Sequence, residues 1–172
     1  MSELRPRIDQ ESRDQRVATD YRTPPQVLDE VARKPVVHWE DGRRTVSDRV
    51  RQQVAEHPEV LPDTLSWLLS VSVDEAVICN ALRHESTPAS ELRRFIHSTV
   101  PEHWTALVQN TGVGDAFIYE VVTAHADRPQ VALCALMNPA TGDIMFERIA
   151  QDLGPQWVQV VEGIRRARHG RW

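Results

Sequence analysis

The sequence predicts an all-α fold, an α-solenoid of about five short helical pairs with a C-terminal capping helix, and three observations predict it. The first is the stretch Asp74–Ile96, which reads as a helix, a short break and a second helix. Asp74 is placed to cap the first segment, and Val77, Ala81 and Leu82 share one face of it. Thr87-Pro88 then supplies a cap residue and a first-turn proline for a second segment striped by Leu92, Phe95 and Ile96. The second observation is recurrence. An alanine stands seven residues ahead of the break at Ala18, Ala55, Ala81, Ala106 and Ala135, at intervals of 37, 26, 25 and 29 residues, and periods of this size mark helical repeats. The third is that VAEHPEVLPDTLSWLL, NALRHESTPASELRRFI, TALVQNTGVGDAFIYEV and CALMNPATGDIMFERIA all run from small apolar residues through a polar break into an amphipathic segment.

The first unit pairs Asp14–Tyr21 with Pro25–Ala32, a degenerate cap of the kind expected where one face of a repeat array meets water. The polar stretch 1–13 ahead of it lacks an apolar stripe and is expected to be a flexible segment. Residues 14–172 are expected to form a single domain. Lys34–Thr45 lengthens the first interval and carries Trp39 and the turn pair Asp41-Gly42, which predicts a hairpin or ordered loop projecting from one face. Val46, Val50 and Val54 resume the helical spacing, and Pro62–Ser70 follows with Leu65, Leu68 and Leu69 as its core and Trp67 off their stripe. In the fourth unit Gly112-Val113-Gly114 stands in place of proline. After the stop at Leu153-Gly154-Pro155, a stripe of Trp157, Val160, Val161 and Ile164 is expected to close the open end of the stack.

Ala55-x-His57-Pro58 with Leu61-Pro62, Ser86-Thr87-Pro88 and Leu136-Met137-Asn138-Pro139 resemble the leucine-rich repeat variant pattern, and the wider class of HEAT-like helical repeats is close to it. The resemblance covers roughly residues 15 to 150. It implies a right-handed superhelix with a concave surface, and hence a protein that acts by binding.

Composition bounds the function. The chain has 172 residues, is 41% hydrophobic and 26% charged, and carries a formal net charge of -5. An acidic balance argues against a dedicated nucleic-acid coat. Lys34 is the only lysine, the mark of a GC-rich genome. Cys79 and Cys134 sit just before repeat alanines and are expected as buried thiols. The seven histidines show no metal-ligand spacing and no CxxC occurs, so no metal, cofactor or catalytic residue is expected. Neither a signal sequence nor a membrane span is read, and a cytoplasmic location is expected.

Candidate binding residues come from positions that the core does not use. Trp39, Arg43 and Arg44 lie in the insertion, and Trp67 lies off its stripe, as interface anchors often do. Arg93-Arg94, Tyr119-Glu120 and Glu147-Arg148 occupy comparable places in successive second helices and would form one column. Arg165 and Arg166 begin a basic tail ending at Trp172. The mixed sign of the column favours a protein partner over a phosphate backbone, and the reading is a non-catalytic adaptor or scaffold. The alternative is nucleic-acid binding on a concave surface, in the manner of HEAT-like DNA glycosylases.

Overall fold

The computed structural model describes residues 4–35, 46–168 and 170, and every regular element among them is helical. The chain packs as two compact units, Met1–Pro88 and Ala89–Trp172, inside what the sequence reads as one domain.

In the first unit the helices are α1 (Leu4–Thr19), α2 (Pro25–Ala32), α3 (Val46–Glu56), α4 (Pro62–Val71) and α5 (Glu75–Arg83). They pack in two rows, α1 on α3 on α5 and α2 on α4. Prolines open α2 and α4, where the missing N–H costs no hydrogen bond. Asp74 caps α5 as expected, its carboxylate accepting the N–H groups of Ala76 and Val77 at 2.9 and 3.2 Å. Leu28, Val54, Leu65, Leu68, Val77 and Leu82 are fully buried between the rows. Helix α1 starts at Leu4, well before Asp14. Its polar sequence has no stripe to betray a helix, yet it contains no glycine, and its proline, Pro6, falls in the first turn where proline is tolerated.

The second unit contains α6 (Ala89–Arg93), α7 (Pro101–Gln109), α8 (Asp115–Ala124), α9 (Pro129–Met137), α10 (Asp143–Leu153), a 3-10 turn at Pro155–Trp157, and α11 (Val158–Arg168). Here α7, α9 and α11 form one row, and α8 packs on α10 in the other. Helix α6 is shorter than the stripe predicts. The chain tightens after Arg93, with the N–H groups of Arg94, Phe95 and Ile96 reaching carbonyls three residues back, but Leu92 and Ile96 are still buried. The closing stripe also needs correction. Val161 is 5% exposed, while Trp157 and Ile164 are half-buried and Val160 is 45% exposed. Cys79 is buried and Cys134 only half-buried.

The polar breaks between helices share one hydrogen-bonding pattern. Asp20, His57, His84, Asn110 and Asn138 each follow a first-row helix, and each side chain accepts the backbone N–H two residues on, from Arg22, Glu59, Ser86, Gly112 and Ala140. In three of them the donor end reaches back to the preceding break. His57 Nε2 donates to the carbonyl of Asp20 (3.0 Å) and His84 Nε2 to that of His57 (3.1 Å). In the second unit Asn138 Nδ2 donates to the carbonyls of Val108 (2.8 Å) and Asn110 (2.9 Å). Three residues after the break, Thr23, Thr87 and Thr141 donate their hydroxyls to Val17, Ala81 and Ala135, satisfying last-turn carbonyls that an α-helix leaves without partners. A stack of short helices exposes many such termini, and this ladder accounts for them. No helix among the described residues is long and apolar enough to cross a membrane.

Candidate partner-binding surface

Trp67 projects from α4 between two arginines. The guanidinium of Arg33 lies 5.1 Å from the ring centroid and that of Arg51 5.0 Å, within cation–π range. The two cations differ in kind. Arg51 is 8% exposed and its donors go to the carbonyls of Ala32 (3.1 Å) and Lys34 (3.2 Å), closing the C-terminal end of α2. Burial lowers its pKa, and Asp48 acts in the opposite direction. Arg33 is exposed and forms a two-toothed pair with Asp29 at 2.8 and 2.9 Å, whose carboxylate also accepts from Thr64 at 2.6 Å. The Arg33 hydrogen bond holds Asp29 below the usual carboxylate range, against the opposing effect of burial. Trp67 is thus half-buried and engaged inside its own unit. Of the other first-unit candidates, Trp39, Arg43 and Arg44 lie outside the described residues.

In the second unit α6, α8, α10 and α11, with the turn after α6, carry the remaining candidates. Arg93 of α6 faces Glu120 of α8 at 3.8 Å, and Arg94, in the turn just after α6, pairs with Glu91. The Arg148 guanidinium of α10 lies 4.1 Å from the ring centroid of Tyr119 on α8, and the Tyr119 hydroxyl points to Asp152 at 3.5 Å. Glu147, next to Arg148, receives Arg165 of α11 through two contacts of 2.8 and 2.7 Å. Arg93 and Arg94 keep 60% and 58% of their side-chain surface in solvent. These positions thus carry ion pairs between α6 and α8 and between α10 and α11, with one cation–π contact between α8 and α10.

The tail arginines separate. Arg166 is exposed and makes one long contact of 3.4 Å to the carbonyl of Glu162. Arg165 and Arg168 turn inward over the ring of Phe146, at 5.5 and 5.0 Å. The Arg165 pKa is raised, first by its hydrogen bonds to Glu147 and then by the Coulomb attraction of that carboxylate and Glu162, with desolvation opposing. Arg168 reaches the carbonyls of Leu136 and Thr141 and lies 3.8 Å from Asp143. Asp143, Phe146, Glu147, Arg165 and Arg168 line a hollow of about 230 Å³. Sequence reasoning placed Arg165 and Arg168 in a basic tail and missed Phe146 and Asp143 as their partners. The signal was the matched spacing, Asp143 and Phe146 three apart on one helix and Arg165 and Arg168 three apart on the other.

Compared with family models, curated proteins and solved structures, the chain gives no match.

Proposed function

We propose that the chain is an α-solenoid of the leucine-rich repeat variant or HEAT-like kind and that it acts as a non-catalytic adaptor, holding a protein partner along its second-row helices. The reading rests on the strip from Arg93 through Glu120, Tyr119 and Arg148 to Glu147, in which opposite charges alternate around one aromatic ring. Exposed pairs of this type contribute about 0–1 kcal/mol each. A partner with matching charges exchanges them for intermolecular pairs at little cost, while Tyr119 offers a rigid amphipathic anchor. A phosphate backbone would instead meet Glu120, Glu91 and Glu147 beside Arg93, Arg94 and Arg165, which is why a protein is favoured over nucleic acid.

The test is affinity capture from the native cell, with and without nuclease, using wild type and a variant carrying Arg93→Glu, Arg94→Glu and Tyr119→Ala. Circular dichroism establishes that the variant folds. A protein captured by wild type, resistant to nuclease and lost with the folded variant is the expected result. Capture of nucleic acid alone, or of proteins that disappear with nuclease, overturns the reading.

A further inference from the structure

Helix α11 packs on α9 as α9 packs on α7, so it stands where the first helix of another repeat would stand. Its arginines also take over the contacts that one repeat makes with the next. Between α7 and α9, Asn138 donates to the carbonyl of Val108, two residues before the break residue Asn110. Arg168 donates to Leu136, two residues before the break residue Asn138. Between α8 and α10, Asp115 at the start of the helix accepts the N–H of Gly142 at 2.8 Å. Asp143, the corresponding first residue of α10, faces Arg168 instead. One guanidinium, with five N–H donors in a planar fork, thus serves acceptors that another repeat would satisfy with an amide side chain and a backbone N–H.

The attachment of α11 is polar. Among its apolar side chains only Val161 is buried, while Val158 and Val160 are 54% and 45% exposed. It is joined to α10 through Gly154, whose φ of 84° lies in a region glycine tolerates. Arg165 and Arg168 provide the specific grip, on two carboxylates, two carbonyls and the face of Phe146, and the hollow between them is lined by these same groups.

We propose that this edge of α9 and α10 is a recognition site for a basic helical segment of a protein partner carrying two arginines three residues apart, and that Arg165 and Arg168 of α11 occupy it in the isolated chain. The proposal deepens the adaptor reading and rests on it. The required chemistry is that of guanidinium. Two flat cations lie over Phe146 while the edge of Arg165 donates to Glu147 and that of Arg168 donates to the Leu136 and Thr141 carbonyls near Asp143, an arrangement that a lysine ammonium cannot reproduce.

The experiment uses a fluorescently labelled peptide of residues 154–170, added to the full chain and to a full-chain variant with Arg165→Glu and Arg168→Glu, in which Glu147 and Asp143 repel the native helix. Fluorescence anisotropy is expected to show binding to the variant at least about tenfold tighter than to wild type, and loss of at least about tenfold when both peptide arginines are lysine. Equal binding to both chains, no binding to a variant that circular dichroism shows to be folded, or equal binding of the lysine peptide overturns the proposal. Should the variant not fold, wild type decides. Excess arginine peptide is expected to accelerate amide hydrogen exchange in α11 while leaving α9 unchanged, and absence of that acceleration overturns the proposal. The capture experiment above tests Arg93, Arg94 and Tyr119, so its outcome is independent of this one.

Discussion

Asn138 donates its side-chain N–H to the main-chain carbonyl of Asn110, 2.9 Å away, and to that of Val108, while its own oxygen accepts the N–H of Ala140 at 2.8 Å. Asn110 and Asn138 are 0% and 3% exposed, so water does not replace these bonds if they are lost. Asn138→Ala removes two donors to main-chain carbonyls and the acceptor of one N–H at a buried site, at an expected cost of about 2–4 kcal/mol. Urea unfolding measures this. Asn138→Asp keeps the acceptor and loses the donor, so it is expected to be at least as destabilising; stability within about 0.5 kcal/mol of wild type for either variant would show that the ladder is dispensable.

His84 performs the same task with an imidazole. Its Nδ1 accepts from Ser86 and its Nε2 donates to His57, an arrangement only the neutral ring satisfies. Burial is the main cause that pushes its pKa below the usual 6.5, with the His57 carbonyl and Glu85 opposing and the His57 ring adding to the fall. Between the lowered folded value and 6.5 the unfolded chain takes up a proton that the native chain refuses. Stability from this group is therefore complete above 6.5 and lost as pH falls through the folded value, at no more than about 1.4 kcal/mol per pH unit. Asparagine makes the equivalent bonds at 138 without titrating. His84→Asn is thus expected to lessen the stability loss between pH 7.5 and 5.5 in denaturant unfolding, and an unchanged loss would assign the pH dependence to other groups.

The elements that were legible in the sequence are those whose burial follows the helical period. Leu65, Leu68 and Leu69 declare α4, and the Asp74 cap declares the start of α5. Helix α1 escaped because a polar helix has no stripe, and α6 was overextended because Ile96 is buried from a turn as well as it would be from a helix. The alanine register marks the helix ahead of each break, but the residues that carry the hydrogen bonds there are the varied polar set Asp20, His57, His84, Asn110 and Asn138. What these share is a hydrogen-bonding pattern, which a search for one residue type does not detect. The partners of Arg168 were missed for the same reason, since they are mostly backbone carbonyls.

Arg33 and Arg51 approach Trp67 from different environments, and their replacement should separate them. Arg51→Ala removes two donors to carbonyls at the end of α2 from a buried site, at an expected cost of about 2–3 kcal/mol. Arg33→Ala removes an exposed pair and is expected to leave the unfolding midpoint nearly unchanged, as solvent screening implies. Equal effects would mean that the Trp67 contact, common to both, dominates.

Two glycines near the C-terminal end should respond to alanine with opposite signs. Gly154 has φ 84° and ψ 172°, a region nearly closed to residues with a Cβ, and an added Cβ would come within 3.0 Å of Gln156 Oε1. Gly154→Ala is expected to cost about 1–3 kcal/mol, because the chain must leave this conformation to turn from α10 into α11. Gly163 lies inside α11, and a Cβ there meets nothing within 4 Å. Gly163→Ala relieves the entropic cost of a helical glycine and is expected to stabilise by about 0.5–1 kcal/mol. Hydrogen exchange localises both effects, since an opened α11 junction should speed exchange in α11 and at the carbonyl-linked end of α9 before it reaches α7. If Gly154→Ala instead lowered protection evenly across α7, α9 and α11, then α11 would unfold only with its whole unit, and a helix that cannot leave by itself could not yield its place to a partner's arginines.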